Sequence, residues 1–428
     1  MTSLETLYNL YLQHPVITTD TRNCPSGSIF FALKGDRFNG NEFAKQALES
    51  GSAYAVIDQP EYQTDERFLL VTDVLSTLQL LAAHHRKQLR IPVIGITGTN
   101  GKTTTKELTR AVLSTRFNTL ATEGNLNNHI GVPLTLLKIT PAHEIAIIEM
   151  GANHPGEIEM LSNIACPDFG LITNVGKAHL EGFGSFEGVI KTKTELYESL
   201  RQSNGKVFLH AENSYLAPYT HNLQTISYGE TPGLFVSGKM ISCSPLVSFK
   251  LSDPQNEIQI DTNLIGSYNL PNLLAAAAIG SYFGITFAEI KSALESYQPA
   301  NKRSQLVKTA RNTLILDAYN ANPTSMMAAL VNFRDMQVEN KTLILGDMRE
   351  LGNESKKEHE RILQFIQETG FDSVFLVGHE FNALPHPFKS FGSAIELKEW
   401  FTQHPITNRF ILVKGSRGIA LETGIESL

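Results

Sequence analysis

An apolar run, Ile94-Gly95-Ile96-Thr97, breaks into Gly98-Thr99-Asn100-Gly101 and restarts as Lys102-Thr103-Thr104-Thr105. A strand that ends in a glycine-punctuated turn and resumes as a lysine-headed helix can hold polyphosphate on backbone N–H groups at the helix N-terminus. The segment therefore demands a strand–loop–helix unit around it and makes a nucleoside triphosphate the first ligand to consider. It departs from the strict P-loop spacing, because Ile96 stands five places before Gly101 where that pattern has glycine, and Gly98 supplies the inner turn. The physical requirements survive: Gly98 and Gly101 permit positive φ and close backbone approach, Lys102 can reach terminal phosphates, and the Thr103 hydroxyl can ligate Mg²⁺. The alternative is an ordinary Gly/Thr/Asn turn with a lysine cap, which the flanking β-run and helix disfavour.

A chain of 428 residues has room for about three domains of roughly 150 residues each. From Asp20 to about Arg90, β-like runs at 29–33, 54–57 and 68–71 alternate with helical stretches at 42–49 and 75–89, a small α/β unit. The Pro92 region opens a second unit: the run 93–97, a helix from Lys102 to about Thr115, and apolar strands at 144–150 and 169–174. Between Lys206 and Ile265 the pattern changes to short alternating strands, read as a β-rich elaboration within the central domain, before helices return near Asn269. Ser296-Tyr297-Gln298-Pro299-Ala300-Asn301 is the expected second linker. After it, strands at 313–316, 342–345, 373–377 and 410–413 alternate with helices from Pro323 and around 354–368. The expected fold class is α/β in three domains, residues 1–90, 91–298 and 299–428, with the middle sheet covered by helices on both faces.

A formal net charge of −7 without a long basic block argues against a nucleic-acid partner. Cys24, Cys166 and Cys243, the only cysteines, fit neither a disulfide framework nor a zinc site, so a reducing cytoplasm is the expected compartment. The N-terminus lacks a basic region and apolar core, and no apolar stretch approaches the roughly 18 residues that span a bilayer, so no membrane association is expected. No GxGxxG, HExxH or GxSxG signature occurs, which disfavours dehydrogenase, metalloprotease and serine-hydrolase readings.

Glu149 ends the apolar strand Ile147-Ile148-Glu149, where open α/β sheets place ligand-binding groups; its carboxylate can bind Mg²⁺ or simply cap the next turn. His179 follows the next strand through Thr173-Asn174-Val175-Gly176, close enough to emerge beside the phosphate loop, although a lone histidine is commonly a hydrogen-bonded loop residue. Lys193 lies on a helix-like stretch and, on composition alone, is a solvated lysine. Gly124-Asn125-Leu126-Asn127-Asn128 is equally defensible as a hydrogen-bonding substrate loop and as a structural turn.

Together these motifs resemble the Mur ligases, the ATP-dependent amide-forming family of peptidoglycan synthesis. The likeness runs nearly the whole chain. It begins with Asp20-Thr21-Arg22 and Phe31-Ala32-Leu33-Lys34-Gly35, and passes through the phosphate loop, Glu149-Met150-Gly151, His179 and Lys193. It continues in Tyr268-Asn269-Leu270-Pro271-Asn272, Asp317-Ala318-Tyr319-Asn320-Ala321-Asn322-Pro323 and Leu345-Gly346-Asp347-Met348. The glycine loop is common to all Mur ligases and to folylpolyglutamate synthases. The Asn-Leu-Asn-Asn and Tyr-Asn-Ala-Asn-Pro stretches resemble the member that joins D-Ala-D-Ala to UDP-N-acetylmuramoyl-tripeptide. The resemblance implies an amino-terminal domain for the UDP portion, a central ATPase domain and a Rossmann-like carboxy-terminal domain that closes over the site.

By position, it implies that Thr21, Arg22, Lys34 and Gly35 meet the uridine diphosphate, and that Asn125, Asn127 and Asn128 meet the muramyl peptide. Gly98, Thr99, Asn100, Gly101, Lys102, Thr103 and Thr104 would hold the ATP phosphates, Asn269 and Asn272 the adenine, and Arg303 and Asp317 the phosphate and ribose. Thr103, Glu149 and His179 would ligate magnesium, with Lys193, carbamylated, helping to bind a second Mg²⁺; Lys102, Glu149, His179 and Lys193 form the implied catalytic set. Asn320 and Asn322 are candidates for the D-Ala-D-Ala pocket. One departure is Arg37-Phe38-Asn39-Gly40-Asn41, where the family commonly has acidic or histidine residues after the Lys-Gly pair. A monomer is expected. The competing readings are another Mur-type ligase that adds a single amino acid and, from a different class, a P-loop NTPase switch, which the absence of an Asn-Lys-x-Asp motif disfavours.

Overall fold

The structure, a computed structural model, describes residues 1–299, 303–426 and 428. Three sheets dominate it. The first is four parallel strands in the order Ile17–Thr18, Ile29–Phe31, Tyr54–Ile57 and Phe68–Leu70. Strand alternation splits its side chains between two cores. Phe30, Ala55 and Ile57 pack on Ala44, Ala47 and Leu48 beside the helix Ala44–Glu49. Ile29, Phe31 and Val56 face the opposite way, toward Leu7 and Tyr11 of Leu4–Gln13 and Leu78 and Leu81 of Val74–Gln88. The helix Leu4–Gln13 precedes the first expected element; Ser3 caps it by accepting from the Thr6 N–H.

The second sheet has nine strands, running from Glu257–Ile265 at one edge through Val93–Thr97 to Thr119–Ala121 at the other. Pairings from Thr119–Ala121 across to Val236–Cys243 are parallel, and the last two strands, Leu246–Ser252 and Glu257–Ile265, are antiparallel. The expected β-rich elaboration is thus a continuation of the same sheet. Val93–Thr97 lies between Phe169–Ile172 and Ile145–Glu149, so three neighbouring carboxyl ends deliver the phosphate loop, Glu149 and the 173–179 segment to one edge of the sheet. One face packs Ile94 and Ile96 on Leu108 and Val112 of Lys102–Leu113 and on Leu270–Tyr282; the other packs Ile148 against Leu161, Leu196 and Leu200.

The third sheet orders Gln305–Lys308, Thr313–Asp317, Phe410–Lys414, Lys341–Gly346, Ser373–Val377 and Lys389–Phe391; only its first pairing is antiparallel. The helices Pro323–Asp335 and Ser355–Thr369 cover one face, and Ala394–Gln403 the other. Of the expected linker, Ser296 ends the helix Phe287–Ser296, and Ala300 and Asn301 lie outside the described residues.

Candidate functional site

The phosphate loop is shaped by close contacts. Gly98 has φ +138° and Gly101 φ +79°; a Cβ on Gly98 would lie 2.1 Å from Thr173 Oγ1, and one on Gly101 2.7 Å from Asn272 Oδ1. The loop is braced on the neighbouring strand end: the Asn100 N–H donates to Asn174 Oδ1 (3.0 Å), Thr173 Oγ1 donates to the Asn100 carbonyl (2.6 Å), and the Gly176 N–H donates to Thr99 Oγ1 (3.0 Å). Gly101 is the N-cap of Lys102–Leu113 and offers no side chain to its first N–H groups. Residues 99 to 104 line a cleft, where anion binding at a helix start needs free N–H groups. Lys102 Nζ meanwhile donates to the Gly98 and Thr99 carbonyls (2.8 and 3.0 Å). Burial, outweighing the attraction of Glu149, lowers its ammonium to about 8.

Glu149 is buried. Its Oε1 accepts from Thr103 Oγ1 (3.1 Å) and Asn127 Nδ2 (2.8 Å), while its buried Oε2 has no hydrogen-bond donor. Lys106 Nζ stands 3.9 Å from that oxygen. A half-satisfied carboxylate beside a threonine hydroxyl and a phosphate-binding helix fits Mg²⁺, which is held by one or two carboxylates with water and substrate phosphates completing the shell. Among the described residues no three His, Cys, Asp or Glu side chains converge as a metal cage, which disfavours a closed structural site.

His179 takes φ +49° as the N-cap of Leu180–Phe183; its ring meets Phe183 edge-on, and its Nδ1 pairs with Glu350 Oε2 from the third sheet's side. Lys193 is not the solvated lysine that composition suggests. It is 2% exposed, its Nζ donates to the Ala152 carbonyl at 3.3 Å, and it sits 5.2 Å from the Phe183 ring centroid. Burial, reinforced by the charge of Lys102, pushes its ammonium well below the usual lysine range.

The phosphate loop from Thr99, Glu149 and His179 border a cavity of 670 Å³ between the second and third sheets, and Lys193 is not among the residues that line it. Thr99 to Thr104, Asn127, Asn128, Glu149 and His179 line the side of the second sheet, together with Asn269 and with Asn272, which stands against Gly101 of the loop. Asn272 Nδ2 donates to Asn269 Oδ1 (2.8 Å), and Thr105 Oγ1 donates to Asn272 Oδ1 (3.1 Å), which fixes both amides. Arg303, Asp317, Asn320 and Asn322 line the opposite side. The Arg303 guanidinium lies 3.8 Å from the Tyr319 ring centroid, and Asp317 accepts from Lys414 Nζ (2.5 Å). Asn128 also has a structural task, since its Oδ1 accepts from the Gly131 N–H at the start of Gly131–Leu136.

The remaining expected residues stand apart from this cavity. Asn125 is exposed. Arg22 is exposed and paired with Asp20, which accepts from its Nε (2.9 Å) and Nη2 (2.7 Å); Thr21 is in the same turn. Lys34 pairs with Asp58 (2.8 Å) in the hairpin Lys34–Gly35/Phe38–Asn39, and the Phe38 ring covers Gly35. The departure after Lys-Gly is packed structure: Asn41 Nδ2 donates to Asn39 Oδ1 and Asp58 Oδ1, both at 2.9 Å.

Sequence reasoning missed three groups. Lys414 ends the apolar strand Phe410–Lys414, and the strand-end rule applied to Glu149 would have found it. Lys106 follows Lys102 by one helical turn on the buried face of its helix. Glu350, beside His179, carries no local signal.

Against known proteins, residues 15–96 match the Mur ligase family catalytic domain, 96–280 the Mur ligase middle domain, and 302–406 the Mur ligase glutamate ligase domain. The UDP-N-acetylmuramoyl-tripeptide–D-alanyl-D-alanine ligase of Escherichia coli strain K12 is 36% identical over 425 residues, covering 96% of this chain and 93% of that protein. A crystal structure of MurF from Acinetobacter baumannii superposes with a TM-score of 0.87 at 34% identity, over 96% of this chain and 92% of that one. The MurF ligase of Thermotoga maritima in complex with ADP has the same fold, with a TM-score of 0.87 at 24% identity over 100% of this chain and 98% of that one. With all three regions matched in order and a relative 36% identical along nearly the full length, the chain belongs to the Mur ligase family.

Proposed function

We propose that this protein is an ATP-dependent ligase that joins D-Ala-D-Ala to UDP-N-acetylmuramoyl-tripeptide through an acyl phosphate in peptidoglycan precursor synthesis, acting as a cytoplasmic monomer. One observation carries the reading: an uncapped, lysine-headed helix start, a strand-end carboxylate and the Asp317–Lys414 pair border one cavity. The name of the Escherichia coli relative supplies the substrate pair. Residues 1–90 are assigned to the UDP portion, 91–298 to ATP and 299–428 to the closing domain.

An amide cannot form from a free carboxylate by expelling oxide. In the first step the tripeptide carboxylate oxygen attacks the γ-phosphorus of ATP and ADP leaves. In the second the dipeptide amine attacks the acyl carbonyl, the tetrahedral species collapses, and phosphate departs with the carboxyl oxygen while the amine loses a proton. Phosphoryl transfer asks the protein for positioning and charge neutralisation. Lys102 exchanges its two loop carbonyls for terminal phosphate oxygens, and within the Gly98–Thr104 loop the N–H groups from Gly101 to Thr104 supply donors, those of Thr99 and Asn100 being held by Asn174. Thr103, Glu149 and His179 would hold Mg²⁺, which would supply neutralisation of phosphate charge. Asn269 and Asn272 receive the adenine; Arg303 and Asp317 receive phosphate and ribose.

Lys193 is assigned as a carbamate: its buried amine favours the neutral nitrogen that must attack CO₂, the displaced proton going to solvent. The carboxylate so formed would help hold a second Mg²⁺. Asn125, Asn127 and Asn128 are assigned to the muramyl peptide, Asn320 and Asn322 to the dipeptide, and Thr21, Arg22, Lys34 and Gly35 to the uridine diphosphate.

The test is to incubate the protein with ATP, Mg²⁺, UDP-N-acetylmuramoyl-tripeptide carrying ¹⁸O in its terminal carboxylate, and a panel of amines. The expected result is efficient addition of D-Ala-D-Ala alone, with one ¹⁸O in the released phosphate. Addition of a single amino acid instead, or unlabelled phosphate, overturns it.

A further inference from the structure

We infer that Glu350 is a positioning residue that completes the metal site from across the domain interface, orienting His179 only while the third sheet is docked. The inference rests on the proposed role of His179 as a Mg²⁺ ligand. A neutral imidazole carries one N–H and one lone pair, and a ligating histidine donates its N–H to a carboxylate or carbonyl so that the other nitrogen faces the metal. Here the Glu350 carboxylate stands against the buried Nδ1 of His179, which has no formed hydrogen bond; a turn of the imidazole that lets an Nδ1 proton meet that carboxylate leaves the lone pair on Nε2. His179 itself lines the cavity.

The two residues belong to different bodies. His179 follows the Phe169–Ile172 strand of the second sheet, and Glu350 follows the Lys341–Gly346 strand of the third. The loop bearing His179 is clasped around that pairing. The Lys177 N–H donates to Thr324 Oγ1 (3.0 Å), and Lys177 Nζ donates to Glu358 Oε1 (2.6 Å). Gly352 lies close enough to Glu181 that an added Cβ would come 3.4 Å from its Cβ. Glu350 itself takes φ +64°, a backbone conformation uncommon for glutamate. Separation of the sheets would leave the imidazole free to rotate about its own side-chain bonds. Docking and metal affinity are therefore linked, and reciprocally so: whatever Glu350 adds to metal binding, the metal adds to docking.

Mn²⁺ is the probe, bound to the protein with a non-hydrolysable ATP analogue and followed by electron paramagnetic resonance. Free Mn²⁺ gives the affinity, and coupling to an imidazole nitrogen marks ligation by histidine. Removal of an outer-shell partner typically weakens metal binding by about 10–100-fold. Glu350→Ala is expected to weaken the nitrogen-coupled Mn²⁺ site within that range, Glu350→Gln less, and His179→Ala to abolish the coupling. If His179→Ala removes the coupling while Glu350→Ala leaves affinity and coupling unchanged, the inference fails and the ligand role of His179 stands. If the wild-type protein shows no nitrogen coupling, the ligand role fails and the inference with it.

Discussion

The first and second sheets meet through a seam of apolar side chains, whereas the second and third meet mostly through polar pairs. Across the first seam, Leu7, Leu78 and Leu81 share one continuous cluster with Leu136, Ile139 and Leu161, and all six are buried. Arg86 pins it: its Nε donates to the Ala165 carbonyl (3.1 Å) and its Nη2 to the Cys166 carbonyl (3.0 Å) and Asp168 Oδ2 (2.8 Å). Across the second interface Asn322 Nδ2 donates to Asn100 Oδ1 (2.8 Å), Lys177 pairs with Glu358, and Tyr268 Oη bonds Ser304 Oγ (3.0 Å). Ile265 is an apolar exception, buried in the third sheet's cluster. Water can replace polar partners but cannot replace apolar contact without a penalty proportional to area. The first two sheets are therefore expected to move as one body, and opening for substrates and closing against water is expected at the third.

Four experiments would break or sharpen that contrast, in descending order of expected effect. Lys102→Ala, at the polar interface, is expected to lower ligation at least about 10³-fold, roughly 4 kcal/mol of transition-state stabilisation, with little change in melting temperature; a steady-state phosphate-release assay reads it. Leu78→Ala, in the apolar seam, should do the reverse, removing about 2–5 kcal/mol of stability with the first two sheets still melting together. Two separate transitions in calorimetry would show that they are not one body.

Lys177→Met strips the hydrogen-bonding cation from the buried Glu358 carboxylate only when the sheets are docked, leaving it Arg361 at 3.6 Å. It should therefore favour opening more than unfolding: turnover falls on the order of tenfold, about 1.4 kcal/mol, and the radius of gyration rises in solution scattering. A drop in melting temperature with unchanged scattering would contradict this. The smallest effect is a proton. Phosphate near Lys102 raises an ammonium that the free site holds at about 8. Nucleotide binding above pH 8 therefore takes up a proton, and affinity weakens as pH rises from 8 toward the bound-state value. Calorimetry at pH 8.5 in buffers of different ionisation enthalpy should find uptake of up to one proton, and zero uptake removes Lys102 from the phosphate site.

What the sequence displayed and what it hid follow the same contrast. The phosphate loop and Glu149 were legible because their chemistry is local: glycines at a strand end, a lysine heading a helix, an acid at the last position of an apolar run. Lys193 was legible in part, since Val189, Ile190, Leu196, Tyr197 and Leu200 recur at helical spacing and place residue 193 on their buried face. Reading that periodicity instead of composition would have buried it. Lys177–Glu358 and Asn100–Asn322 join residues 181 and 222 positions apart, and no local pattern encodes such a partner. The antiparallel extension of the second sheet was hidden similarly, because short alternating strands read alike whether they form their own sheet or lengthen another.

The divided core of the first sheet bears on how such a protein could be recombined. Its Phe30 face is closed by its own helix Ala44–Glu49, but the helices that cover its Phe31 face, Leu4–Gln13 and Val74–Gln88, share their cluster with leucines that the later chain supplies. A chimera spliced near residue 90 would confront those leucines with a foreign surface. The segment that could be exchanged whole between relatives is the last one, whose two apolar clusters are drawn almost entirely from its own strands and helices.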